Sequence, residues 1–221
     1  IRHALPTRAP SLGSAMTGAN PKKTGPSPPH LIAEDVLPPE DRPALLQWTL
    51  ETRERFEAAK TGHGVQEIAR DALSLRDLGP FAAIIRDRAL ASLDAWVAQL
   101  KVTPFEPSLV ELELAAHNHG SHFTIHSDTY RSDQPAIGDR MLSAVYYFHE
   151  EPKRFTGGAL RLHRLGAQAG DAGLDIGPDH NRLVVFPSWW PHEVLRVSCE
   201  RRRFEDSRFS LNCWMHRARK S

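Results

Sequence analysis

At 221 residues, with 40% hydrophobic and 25% charged side chains, the chain fits one soluble globular domain with a core of its own. Formal charge is only +1 at pH 7, which argues against a whole-protein field for nucleic acid or an anionic membrane. No apolar run reaches the roughly 18 residues that span a bilayer, and the opening IRHALPTRAP has no apolar segment behind its charges, as a secretory signal has.

In chain order, residues 1–30 read as a mobile arm. Within it, "GSAM" before Thr17 resembles a cloning remnant with Met16 as the natural start, so residues 1–16 are set aside. Residues 17–30, TGANPKKTGPSPPH, are too rich in Pro, Gly, Ser and Thr to bury a core. From Pro39, PEDRPALLQWTLETRERFEAA predicts a helix. Its acidic residues sit at the favourable N-terminal end, and Leu45, Leu46, Trp48, Leu50 and Phe56 lie inside it. A second helix follows Gly79-Pro80, where Phe81, Ile84, Ile85, Leu93, Trp96, Val97 and Leu100 form one apolar stripe.

After Pro107 the period becomes that of strands: SLVELELAAH, HFTIHSD, RMLSAVYYFH, ALRLHRL, RLVVFP, HEVLRV and RFSLNCWMH, with turn residues between them. The glycine-rich stretch 164–181 is expected to be a surface loop. The reading is an α+β chain, mainly β. Helical support over 38–101 precedes a β-sandwich or barrel over 108–217, in one domain from 31 to 221. The two cysteines, Cys199 and Cys213, read as free thiols in a reducing, cytoplasmic compartment, although a pair between them stays open.

Twelve histidines are unusual, and their positions matter more than their number. In a strand, His126 and Asp128 of "HFTIHSDTY" point to the same side. His192 follows the Pro-bracketed turn of "RLVVFPSWWPHEVLRV". Two histidines and a carboxylate make the facial triad of non-haem Fe(II) oxygenases. By itself this carries little, because His-x-Asp is common and His192 can simply open a strand. "RFSLNCW" adds Arg208 and Ser210 on one strand face, an arginine fork beside a hydroxyl, which suits the distal carboxylate of a diacid.

With these residues in place the chain resembles the prolyl 4-hydroxylase-like group of Fe(II)/2-oxoglutarate dioxygenases. The matching segments, in the family's order, are "HSD", "SAVYYFHEEPKRFTGGALRLH", "RLVVFPSWWPHEV" and "RFSLNCW", within residues 108–217. The resemblance implies a double-stranded β-helix (jelly-roll, cupin-like) core carrying the catalytic site, with the N-terminal helices as its support. It implies His126, Asp128 and His192 as iron ligands, and Arg208 and Tyr147 as partners of the 2-oxoglutarate C5 carboxylate. Ser210 matches an Arg-x-Ser pattern of some members, and a small inward-facing residue is the other reading. Arg201, Arg202 and Arg203 compete for the clamp, but Trp214 follows Arg208 by six residues as an aromatic does in the family. Fe(II), 2-oxoglutarate and O2 are the implied cofactors, with ascorbate as a supporting reductant. The implied reaction hydroxylates an unactivated C–H, chiefly of a prolyl residue in a peptide or protein.

One departure stands out. Members of the group often carry a tyrosine before His-x-Asp, where this chain reads AAHNHGSHF with His117, His119 and His122. His117 is either a replacement for that tyrosine or a polar strand end at the barrel mouth. Trp189 and Trp190 are rim packing or a wall for substrate. Gly157 and Gly158 are expected to form a turn that needs positive φ. Three other functions stay open: hydroxylation of a free amino acid or small natural product, a non-catalytic metal-binding β-barrel, and a nucleic-acid demethylase, which the near-neutral charge disfavours.

Overall fold

The computed structural model describes residues 27–60, 70–129, 138–168 and 170–219. Of the arm expected over residues 1–30, residues 1–26 lie outside them. Among the described residues the N-terminal part holds β1 (Leu31–Ala33), α1 (Asp41–Glu51), β2 (Glu57–Ala58), β3 (Arg70–Asp71), β4 (Leu73–Leu75) and α2 (Phe81–Leu100). The β-rich part follows with β5 (Pro107–His117), β6 (His122–His126), β7 (Asp139–Phe148), β8 (Thr156–Gly157) and β9 (Leu160–Leu162). It closes with β10 (Leu174–Ile176), β11 (Arg182–Pro187), β12 (His192–Val194), β13 (Val197–Ser198) and β14 (Arg208–Arg217).

Antiparallel pairing assembles a large sheet in the order β1-β11-β7-β14-β5-β4-β2 and a smaller one in the order β10-β9-β12-β6-β3. Together they form a double-stranded β-helix of the kind the sequence resembles. Alternation along the strands splits the large sheet into two unlike faces. Leu112, Leu114, Leu142, Ala144, Tyr146, Phe148, Leu211 and Met215 face outward and pack with Ala89, Leu93, Val97 and Leu100, the stripe of α2. Burying that stripe is what stabilises the helix against the sheet. On the inner face Tyr147, Val184 and Phe186 meet Leu160, Leu162 and Ile176 of the smaller sheet in a second, smaller core, beside buried polar residues such as Glu113, His117, Ser143, Arg208 and Ser210.

Two expectations need correction. The first helix does not run to residue 59 but ends at Glu51, where the Thr52 hydroxyl donates to the Trp48 carbonyl at 2.9 Å. Beyond it Phe56 is extended and packs edge-on to Phe204 at 5.1 Å, and β2 joins β4, so sheet pairing overrides helix propensity. The stretch 164–181 is not all loop, because β10 pairs with β9 and buries Ile176 in the inner core.

Asn181 ties the N-terminal segment to the barrel. At φ +62° it accepts from the Leu37 N–H (2.8 Å) and the Tyr146 hydroxyl (2.9 Å) and donates to the Leu37 carbonyl (2.9 Å). Asparagine tolerates this left-handed backbone while supplying both hydrogen-bonding senses. Both cysteines are unpaired and buried. Among the described residues, no helix is long and apolar enough to cross a membrane.

Candidate metal and co-substrate site

His126 ends β6 and His192 opens β12, and the two residues pair directly across the small sheet. Asp128 lies just past β6, anchored by its N–H donating to the Ser188 carbonyl at 2.8 Å. One ligand atom from each of the three lies within 4.8 Å of the others. His126 Nε2 is 3.7 Å from Asp128 Oδ1, and His192 Nε2 is 3.6 Å from Asp128 Oδ2.

The surroundings set which atoms face the centre. His126 Nδ1 lies 2.7 Å from the Thr124 carbonyl and His192 Nδ1 lies 2.8 Å from the Trp190 carbonyl. A carbonyl only accepts, so each Nδ1 holds the proton and each Nε2 offers a lone pair. Burial, then the neighbouring His192 ring, holds the His126 pKa below the ordinary imidazole value, which favours the neutral ligand form. Asp128 Oδ2 accepts from the Ser143 hydroxyl at 2.6 Å and the Trp214 indole N–H at 2.8 Å. Burial pushes the Asp128 pKa up, but His192, His126, Arg140 and the Ser143 hydrogen bond outweigh it, and the group is held below the usual carboxylate range. Two imidazoles that turn Nε2 to the centre and one ionised carboxylate, all oriented by their own partners, fit a divalent transition metal such as iron(II).

These residues line a cavity of about 440 Å³ whose wall also includes Arg208, Tyr147, His117 and Ser210. Cross-strand pairing explains the grouping, since Arg208 lies opposite His117 on β5 and Ser210 lies opposite Tyr147 on β7. Arg208 is 1% exposed, and no carboxylate pairs with it among the described residues. Its Nε donates to the Gly158 carbonyl at 2.7 Å, Nη1 approaches His117 Nδ1 at 3.3 Å and Ser210 Oγ at 3.4 Å, and its guanidinium carbon stands 4.7 Å from the Tyr147 ring centre. Burial raises the Tyr147 pKa against the pull of Arg208, yet no hydrogen bond of sound geometry reaches the phenol. A buried cation without an anion and a buried hydroxyl without a partner are costly unless a ligand satisfies both.

Gly157 and Gly158 do adopt positive φ, at +71° and +70°. Gly158 does more than turn the chain. A Cβ there would stand 2.7 Å from Arg208 Cδ, so its bareness and its carbonyl both seat the arginine. Arg203 and Arg201, themselves exposed, instead pair with the buried Asp206, apart from the cavity wall. Trp189, expected near a substrate, is 40% exposed and does not line the cavity, whereas Trp190 packs on the inner core. His117 does end β5 and line the cavity. It is 3% exposed, and its Nε2 has no partner.

Sequence reasoning missed Ser143, Trp214 as the partner of Asp128, and a wall of Arg70, Arg76 and Glu113. Arg70 (8% exposed) and Arg76 both pair with Glu113, which is 1% exposed. The inward parity of Glu113 with His117 on β5 was the available signal for that carboxylate.

The 2OG-Fe(II) oxygenase superfamily model matches residues 112–216, the stretch that carries the triad and the arginine. This β-helix core is similar to the 2OG-Fe(II) oxygenase superfamily. An uncharacterized PKHD-type hydroxylase of Synechocystis sp. is 31% identical over 190 residues, 83% of this chain. The chain spans about three fifths (62%) of that relative's length. Among solved structures, a Pseudomonas putida prolyl-4-hydroxylase is 26% identical with a TM-score of 0.60, covering 86% of this chain and 92% of its own. A Trichoplax adhaerens prolyl hydroxylase, in complex with a peptide of hypoxia inducible factor, shares the fold at 18% identity and a TM-score of 0.62, covering 85% of this chain and 83% of its own. The superfamily implies iron(II), 2-oxoglutarate and O2, and the donor set described above fits them.

Proposed function

We propose that this protein is a 2-oxoglutarate-dependent hydroxylase that acts on a prolyl residue of a peptide or protein. His126, Asp128 and His192 would hold the iron, and Arg208 with Tyr147 would hold the distal carboxylate of 2-oxoglutarate. One observation carries the reading: three converging ligand atoms and a buried arginine lacking a carboxylate line the same cavity. Iron(II) bound there supplies oxidation of a substrate C–H to C–OH by O2, coupled to decarboxylation of 2-oxoglutarate to succinate and CO2.

The chain's own residues supply orientation. Arg208, seated by the Gly158 carbonyl, selects a diacid and sets which way its keto-acid end points. The Thr124 and Trp190 carbonyls fix both imidazoles, and Ser143 and Trp214 fix the carboxylate, so the three residues that would hold the metal are each oriented by a partner of their own. Leu160, Val145 and Val194 line the cavity with apolar surface, which limits water beside the reacting atoms.

Kinship with the Pseudomonas prolyl-4-hydroxylase and the peptide bound to the Trichoplax enzyme support a peptidyl proline as substrate. A second reading, a free amino acid or small natural product, is favoured by Lys60 and Arg76 on the same cavity wall, whose exposed ends suit a free carboxylate beside the pairs they make with Glu57 and Glu113. Anaerobic addition of 2-oxoglutarate to the Fe(II) protein should give a visible charge-transfer band, and succinate should form when air is admitted with ascorbate. Asp128→Ala should lose both, and undiminished succinate from that variant refutes the metal assignment. Substrate-stimulated succinate release across prolyl peptides and free amino acids then separates the two substrate readings.

A further inference from the structure

Arg208, Tyr147 and His117 meet at one part of the cavity wall, and each lacks something. The guanidinium has no carboxylate among the described residues, the Tyr147 hydroxyl has no partner, and neither has His117 Nε2. The proton on His117 can be placed. Guanidinium N–H groups only donate, so the 3.3 Å approach of Arg208 Nη1 makes His117 Nδ1 the acceptor. A neutral ring then carries its one proton on Nε2. The ring stays neutral because it is buried and faces the cations of Arg208 and Arg70, with His122 also nearby.

The cavity wall therefore presents three kinds of donor, a guanidinium, a phenol and an imidazole N–H; among the described residues the first has no carboxylate and the other two have no partner. A carboxylate has two oxygens and about four lone-pair positions. We propose that His117, as the Nε2–H tautomer, is a third donor to the distal carboxylate of 2-oxoglutarate, and that its Nδ1 orients Arg208 for the same task. This rests on the reading of Arg208 and Tyr147 as the co-substrate clamp. It assigns His117 to the co-substrate rather than to the substrate being hydroxylated. One ring thus does two jobs that a tyrosine hydroxyl, rotating freely between donor and acceptor, would not keep separate.

The test measures binding, not turnover, using the full-length protein with Mn(II) in place of iron. Affinities for 2-oxoglutarate are compared with those for 2-oxopentanoate, which keeps the keto-acid end and replaces the far carboxylate by a methyl. His117→Asn keeps an acceptor near the Nδ1 position but has no donor at the Nε2 position, whereas His117→Gln keeps a donor there. His117→Asn should bind 2-oxoglutarate about 10-fold or more weakly, as loss of a hydrogen bond to a charged group implies. His117→Gln should stay within about 3-fold of the parent, and 2-oxopentanoate should bind all three proteins alike. Should His117→Asn fail to fold, His117→Ala carries the same expectation. Equal 2-oxoglutarate affinity in parent and His117→Asn overturns the assignment of His117, and so does an equal loss for both acids. If the parent itself prefers neither acid, the clamp reading falls too.

Discussion

Removing one of the two hydrogen bonds that orient Asp128 should weaken metal binding far more than it weakens the fold. The Trp214 indole N–H donates to Asp128 Oδ2 at 2.8 Å, and the Ser143 hydroxyl donates to the same oxygen at 2.6 Å. A hydrogen bond to a charged group contributes about 1.5–3 kcal/mol, or roughly 10- to 100-fold in an equilibrium constant. Partners that orient metal ligands typically matter by a similar factor of about 10–100 in metal affinity. Trp214→Phe keeps an aromatic ring beneath the Arg140 guanidinium, which now stands 4.0 Å from the indole, and loses only the donor and part of the apolar area. Ser143→Ala leaves the Ser188 hydroxyl, 2.9 Å from Ser143 Oγ, without that contact but disturbs little packing. Each variant should raise the Mn(II) or Fe(II) dissociation constant about 10-fold or more. The double variant should exceed the product of the two, because a carboxylate released from both donors is free to rotate. Metal titration followed by isothermal calorimetry measures this, with Tm recorded beside it. If both single variants bind metal within about 2-fold of the parent while Tm falls, the two donors serve packing alone and the argument fails.

Two further outcomes follow from the same geometry. Gly158→Ala places a Cβ 2.7 Å from Arg208 Cδ and 2.9 Å from Val197 Cγ2 on a backbone at φ +70°. It should raise the KM for 2-oxoglutarate about 10-fold with metal affinity unchanged, and an unaltered KM would show that Arg208 tolerates displacement. Glu111 should make stability depend on acid. Burial pushes its pKa up, but the His216 hydrogen bond and the Arg140 and Arg76 charges bring it down to about 2. A folded pKa below the unfolded value of roughly 4.3 gives stability that is complete above that pH and lost as pH falls toward 2, worth up to about 3 kcal/mol. Urea unfolding should therefore show a shallower acid decline in Glu111→Gln than in the parent, and parallel declines would contradict the linkage.

How much was legible in the sequence follows from the range of each interaction. The stripe of α2 and the alternation of β5, β7 and β14 are local periodicities, and those elements appear where they were expected, within a residue or so at their ends. The two-residue strands β2, β3, β8 and β13 escaped notice, because pairing partners far along the chain create them. The first helix was overextended for the same reason, since nothing near Phe56 in sequence announces Phe204. His126, Asp128, His192 and Arg208 were singled out through motif order, and the fold brings them to one cavity, whereas Trp214 was noted only as an aromatic marker. Its hydrogen bond to Asp128, 86 residues away, has no local signature.

By itself the chain's alternation determined that β5, β7 and β14 would each have one apolar and one polar face, because side-chain direction in a strand is a matter of neighbouring backbone dihedrals. Which way each face points was a tertiary decision. An exposed polar face is the ordinary outcome for an antiparallel sheet, yet here the apolar face meets α2 and the polar face turns inward. That inversion puts Glu113, His117, Tyr147, Arg208 and Ser210 around one cavity, where burial strengthens their mutual electrostatics. Only closure of the two sheets on each other brings β6 and β12 against that face, and with them the pair of imidazoles.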